Sequence, residues 1–214
     1  MKSTLINMVV VLFTITLIAS AGVGAVNMIT EEPIAAAKAA ATQAALGQVL
    51  PAFEATEAEV LTIDEMPIKV HTAKSGEAIV GYAVETMTKS GFSGVVKLMV
   101  GFLPDGTINN VNVLQQAETP GLGTKMCDEG NPLLAGVKGQ QATGTFKVKK
   151  DGGEVDALTA ATISSRAYLE AVNRACVAMM NVTGQDAPDG VSGATATESA
   201  QTEEPEAQEG GQNE

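Results

Sequence analysis

The chain of 214 residues carries 25 acidic against 13 basic side chains, a formal charge of −12, with one histidine, two cysteines and 3% aromatic residues. The eight carboxylates after Arg174 account for most of that charge, leaving −4 without them, and the absence of a basic stripe or stacking aromatics excludes nucleic acid as a partner. A lone histidine and two cysteines cannot build a four-ligand zinc or iron–sulfur centre, so no metal site is expected and a redox role needs a bound organic cofactor.

In chain order, residues 3–30 are 28 uncharged positions rich in Val, Ile, Leu, Ala and Thr, longer than the roughly 20 that cross a bilayer. Residues 1–30 therefore read as a transmembrane anchor in contact with lipid. A cleaved secretory signal is the rival, with Ala19-Ser20-Ala21-Gly22 offering small residues to a peptidase. Lys2 precedes the span and Glu31-Glu32 follow it, which puts the N-terminus in the cytoplasm and the rest outside. This is a single-pass protein of the plasma or inner membrane, its soluble part extracytoplasmic.

Residues 31–55 form a helical connector, with Ile34, Ala37, Ala41, Ala45 and Val49 at helical spacing before Pro51. The period then drops to two. Runs at Ile68–Thr72, Ala78–Thr88, Phe92–Phe102 and Thr107–Leu114, separated by Gly-containing turns, predict an antiparallel meander. In the third run Phe92, Gly94, Val96, Leu98, Val100 and Phe102 share one face, with Ser93 and Lys97 on the other. A loop-rich stretch over 118–139, a short strand Thr143–Lys149 and a closing helix of about Thr162–Met180 follow, with Met179 and Met180 in its core face. The fold class is α+β, helices on an antiparallel sheet, for a soluble domain over 56–182. From 183 to 214 the composition predicts a disordered acidic tail.

The chemistry concentrates in Asp156-Ala157-Leu158-Thr159-Ala160-Ala161-Thr162-Ile163-Ser164-Ser165, small and hydroxyl residues that end where the last helix begins. A helix start favours a phosphate through its free amides; it equally admits plain capping by Thr159 or Thr162. Glu118-Thr119-Pro120-Gly121-Leu122-Gly123-Thr124-Lys125 is a second candidate loop, open to reading as a simple Pro-Gly turn. Lys125 either balances a bound negative charge or is solvated. His71 reads as a structural or surface residue. Cys127 and Cys176 are either a disulfide or two thiols.

The Asp156–Thr162 run resembles the flavinylation motif Asp-x-x-(Ser/Thr)-Gly-Ala-(Thr/Ser) of FMN-binding domains in ion-pumping electron-transport complexes. Asp156, Thr159, Ala161 and Thr162 match, while Ala160 stands where glycine is usual. The Glu118–Lys125 loop resembles the family's Glu-Thr-Pro-Gly-Leu-Gly loop, and Gly91-Phe92-Ser93-Gly94 with Asp105-Gly106-Thr107-Ile108 completes the series in the family's order. The resemblance is closest to the RnfG family, the FMN-binding components of Rnf complexes, which are membrane ferredoxin:NAD oxidoreductases. The alternative is the related FMN-binding component of the sodium-pumping NADH:quinone reductase.

That resemblance implies FMN covalently attached to Thr162 by a phosphoester, with a separate flavin transferase acting on FAD during maturation. It implies a cofactor site of Glu118, Thr119, Gly121, Leu122, Gly123, Thr124, Lys125, Thr159, Ala160, Ala161, Ile163 and Ser164, in which Leu122 packs on the ring. Asp156 is then an element of the motif that the transferase reads. The partners implied are the other subunits of a membrane electron-transport complex, in which this chain relays electrons without being a complete enzyme. From the residues alone, a non-redox membrane-tethered binding module remains the competing class.

Overall fold

A computed structural model describes residues 5–64 and 66–184 together with the backbone of 195–196. The chain divides into two units at Ala44/Ala45. The first is most of helix α1, Leu5–Val49, whose apolar stretch is long enough to cross a membrane and has none of its surface buried. The three threonines of its apolar stretch return their hydroxyls to the helix, Thr14 Oγ1 to Val10 O at 2.8 Å, Thr16 to Leu12 O at 3.0 Å and Thr30 to Val26 O at 2.8 Å, which satisfies these donors within an apolar surface. Anchor and connector are one helix, not two. Pro33 lies inside it, at the cost of the one hydrogen bond a proline nitrogen cannot donate.

The second unit begins at the last turn of α1 and contains a meander in which every neighbour is antiparallel. The strands are β1 (Ala55–Ile63), β2 (Met66–Ser75), β3 (Ala78–Thr88), β4 (Val96–Phe102) and β5 (Ile108–Gln115), in spatial order β5-β4-β3-β2-β1, with the two-residue β6 (Thr195–Ala196) on the free edge of β1. The β3 bounds match the sequence reading. β1 is not among the expected strands, because its alternation of Glu57 and Glu59 with small residues lacks the apolar face of a core strand. β4 starts four residues later than the expected Phe92, since Gly94 at φ +131° bends the entry. The expected strand Thr143–Lys149 is corrected to an extended segment with only an isolated bridge, Val148 to Val155. Among the described residues it has no strand beside it; Asn173 holds it to the closing helix, accepting from Phe146 N at 2.8 Å and donating to Phe146 O at 2.9 Å. The 118–139 stretch contains a 3₁₀ turn, Gly123–Cys127, and a short helix α2, Pro132–Val137, capped by the Asn131 side chain.

The closing helix α3, Thr162–Thr183, runs three residues beyond the expected end and covers one face of the sheet. Ala167, Ala171, Ala175 and Ala178 are fully buried on it, and such small side chains let a helix approach a sheet closely while Leu169, Val172 and Met179 fill the gaps. Met179 and Met180 are core, as expected. The other face is not left to solvent. Ala45, Leu46, Val49 and Leu50 pack on Ala73, Ala83 and Met99, so β4 is buried on both sides. Gly101 makes this contact possible: a Cβ there would lie 2.0 Å from Val49 O. The tail expectation falls, apart from Thr183, Gly184 and Thr195–Ala196, outside the described residues; Thr183 itself is helical.

Candidate functional site

Three segments distant in sequence converge at the start of α3. One is the bend Gly91–Gly94 leading into β4, the second the loop that follows β5, and the third the Leu158–Ser164 stretch. Together Phe92, Thr119, Leu122, Gly123, Ala160, Ala161, Thr162, Ile163 and Ser164 line a groove of about 310 Å³, near the lower end of ligand-site volumes. Outside α1, few large apolar side chains are exposed, and Phe92, Leu122 and Ile163 are three of them. They give the groove apolar walls around the hydroxyls of Thr119, Thr162 and Ser164.

The start of α3 is built by local hydrogen bonds. Ala161 N donates to Leu158 O at 3.1 Å, Leu158 N to Ser165 Oγ at 2.9 Å, and Ser165 Oγ to Ala161 O at 2.9 Å. Ser165 thus closes the turn from within the helix, and neither Thr159 nor Thr162 caps it. Closing that turn takes Ala160 to φ +58°, the left-handed region that glycine enters freely and alanine does not. Thr162 becomes the first helical residue, half-buried in the groove. Amides of the first helical turn have no preceding carbonyl to reach, so Thr162, Ile163 and Ser164 present N–H groups beside the Thr162 hydroxyl.

Behind the groove sits Glu118, 4% exposed. Its Oε2 accepts from Ser164 Oγ at 2.5 Å and its Oε1 from Ser93 N at 3.1 Å, so one carboxylate ties all three segments together. The packing tolerates no methyl group here. A Cβ on Gly123 would lie 2.7 Å from Ser164 Oγ and 2.7 Å from Glu118 Cβ, and one on Gly91 would lie 2.2 Å from Gly94 O.

Of the residues expected at the site, Thr119, Leu122, Gly123, Ala160, Ala161, Thr162, Ile163 and Ser164 line the groove. Glu118 braces it from behind. Gly121 and Thr124 shape the loop, Gly121 N donating to Thr124 Oγ1 at 2.9 Å. Lys125, Thr159 and Asp156 are off the lining, and all three are exposed. Asp156 pairs with Lys149 at 2.8 Å. Sequence reasoning leaves out two neighbours of Thr162. Phe92, 65% exposed on the rim, reads in sequence as part of a strand face. Lys150 Nζ donates to Thr162 Oγ1 at 3.2 Å, from a segment whose only signal is a cluster of lysines.

Both cysteines are free thiols and no disulfide links them: Cys127 is exposed, and Cys176 is buried in α3, its pKa pushed up to about 12 by burial. His71 is buried, and burial together with the nearby Lys69 charge lowers its pKa to about 4. Among the described residues there is no cluster of metal-ligating side chains.

A family model described as an FMN-binding domain matches residues 91–177, the span that holds all three groove segments. Over most of its length the chain is similar to proteins named as the G component of an ion-translocating oxidoreductase complex. It is 34% identical over 189 residues to that of Shewanella loihica, covering 81% of this chain and 89% of the relative. It is 33% identical over 192 residues to that of Shewanella amazonensis, covering 83% and 89%. The Yersinia pestis protein is 34% identical over 188 residues, covering 80% and 90%.

Proposed function

The chain belongs to the RnfG family of ion-translocating oxidoreductase complexes, and from that premise we propose that it is an electron carrier whose FMN is joined to Thr162 through a phosphoester. The observation that carries the reading is the contrast between two threonines of one motif. Thr162 lies on the groove among Phe92, Leu122 and Ile163, while Thr159 is exposed and outside the lining.

The residues present fit the group. A planar aromatic ring needs apolar surface and a close backbone approach, which Phe92, Leu122, Ile163 and Gly123 supply. The first amides of α3 and the Lys150 ammonium, 3.2 Å from Thr162 Oγ1, would hold a phosphate esterified to that oxygen. When bound, FMN supplies the one- and two-electron chemistry that no side chain of this protein offers. The protein's share is to hold, orient and shield. A covalent tether suits a groove of this size, because a cofactor only partly enclosed is otherwise lost by dilution.

The relay role rests on the anchor. With Lys2 before the span and Glu31-Glu32 after it, the flavin domain is extracytoplasmic, and a hydrocarbon layer of roughly 30 Å separates it from soluble cytoplasmic donors. Electrons then arrive and leave through integral-membrane partners in the complex. Two experiments test the reading. Co-expression with a flavin transferase gives one FMN adduct by intact mass on wild type and Thr159→Val, and none on Thr162→Val; an adduct that persists on Thr162→Val overturns it. For orientation, in a Cys127→Ser background that removes the native exposed thiol, a membrane-impermeant thiol reagent applied to intact cells labels Glu77→Cys, in the exposed β2–β3 turn, and not Ser3→Cys. The opposite pattern inverts the topology.

A further inference from the structure

We propose that Lys150 is the positioning residue of the attachment reaction, holding the incoming phosphate against Thr162 Oγ1 and remaining its counter-charge in the finished ester. This rests on the reading that Thr162 is the attachment site.

The cations around Thr162 are not equivalent. Lys149 is drawn to Asp156 at 2.8 Å. Arg166, one helical turn past Thr162, is held by Asp151 in a two-pronged pair at 2.7 and 2.6 Å, and that pair keeps the Asp151 carboxyl below its ordinary pKa. Lys150 makes no ion pair among the described residues; its ammonium is 3.2 Å from the Thr162 hydroxyl oxygen. The tight turn around it is set by backbone packing. Lys149–Asp151 is a single 3₁₀ turn ended by Gly152 at φ +81°, and Gly153 crosses so close to the preceding segment that a Cβ would lie 2.1 Å from Lys147 O. The Arg166–Asp151 pair fastens the same turn to α3.

An ammonium has three donors and no acceptor, so at this distance it can touch the hydroxyl and a phosphate oxygen bonded to the same atom. In the transfer, Thr162 Oγ1 forms the new bond to the flavin-side phosphorus of FAD and the anhydride bond between the two phosphates breaks. AMP leaves with the electron pair, and the hydroxyl proton is released. The product ester keeps one negative charge beside Lys150. A charge that stabilises both the approaching phosphoryl group and the ester acts on rate and on the final environment.

The test uses the full chain in detergent, a purified flavin transferase, FAD and magnesium, with adduct followed by intact mass. Lys150→Gln should slow the initial rate tenfold or more, Lys150→Arg should stay within about threefold of wild type, and Lys147→Gln should be unchanged. In fully loaded protein the ³¹P resonance of the ester should move in Lys150→Gln and not in Lys147→Gln. An unchanged rate, an unmoved resonance, or an Arg variant as slow as Gln overturns the inference. A slowed rate with an unmoved resonance assigns Lys150 to recognition by the transferase instead. Throughout, absence of adduct on Thr162→Val keeps the attachment reading intact, and an adduct on that variant removes both.

Discussion

Ser164 Oγ donates to Glu118 Oε2 at 2.5 Å, a single bond that joins the first turn of α3 to the loop after β5 across the back of the groove. The acceptor is 4% exposed, so water cannot replace a lost donor. Ser164→Ala should therefore destabilise the domain by about 1–3 kcal/mol, the range for leaving a buried polar group unpaired. Glu118→Ala should cost at least as much, because it also frees Ser93 N. Chemical denaturation gives the stability, and intact mass after transferase treatment should show less flavin on both variants than on wild type.

Ala160 at φ +58° stands where the motif usually carries glycine. A left-handed L-residue costs roughly 1–2 kcal/mol, partly offset by the greater unfolded-state entropy of glycine. Ala160→Gly should thus stabilise the protein by about 0.5–1 kcal/mol. Ala160→Val should destabilise it, since a β-branched side chain tolerates that region least. Paired thermal melts check both signs.

His71 has a folded pKa of about 4 against an unfolded value near 6.5. Between those values the unfolded chain binds the extra proton, so stability is full above pH 6.5, falls as the pH drops toward 4, and loses nothing further from this group below that. The window is worth up to about 3 kcal/mol. His71→Leu should remove this component, so the wild-type-minus-variant stability difference should shrink as pH falls from 7 to 4. A pH-independent difference contradicts the assignment.

Gly101 lies under the last turn of α1, where a Cβ would stand 2.0 Å from Val49 O. Backbone cannot yield as a side-chain tip does. Gly101→Ala should cost about 1–3 kcal/mol by overpacking, whereas Gly76→Ala, at a turn with open space around it, should lose only what its φ of +62° imposes. Comparative urea denaturation separates the two.

Much of the fold is legible because periodicity reports burial. β3 and β5, the Asp105-Gly106 hairpin and the start of α3 at Thr162 follow from alternation, turn residues and helical spacing. β1 is illegible for the same reason: an edge strand with Glu57 and Glu59 exposed shows no apolar face until Leu61 and Ile63. Met99 falls by alternation on the polar side of β4, with Lys97, and is fully buried, because nothing local announces that a second layer covers that side.

The sequence by itself determined the long apolar N-terminal helix, the α+β class, the motif ending at Thr162 and most residues of the groove, since each of these depends on neighbours within a turn or a strand. Only the tertiary structure decided which side chains meet there. Glu118 turned out to brace the groove instead of lining it, Phe92 joined its rim, Lys150 reached the Thr162 hydroxyl, and Lys125 and Thr159 stayed outside. Those outcomes depend on contacts between segments far apart in the chain, 46 positions for Glu118 and Ser164 and 70 for Phe92 and Thr162, and chain closure over such distances is set by packing and leaves no local pattern to read.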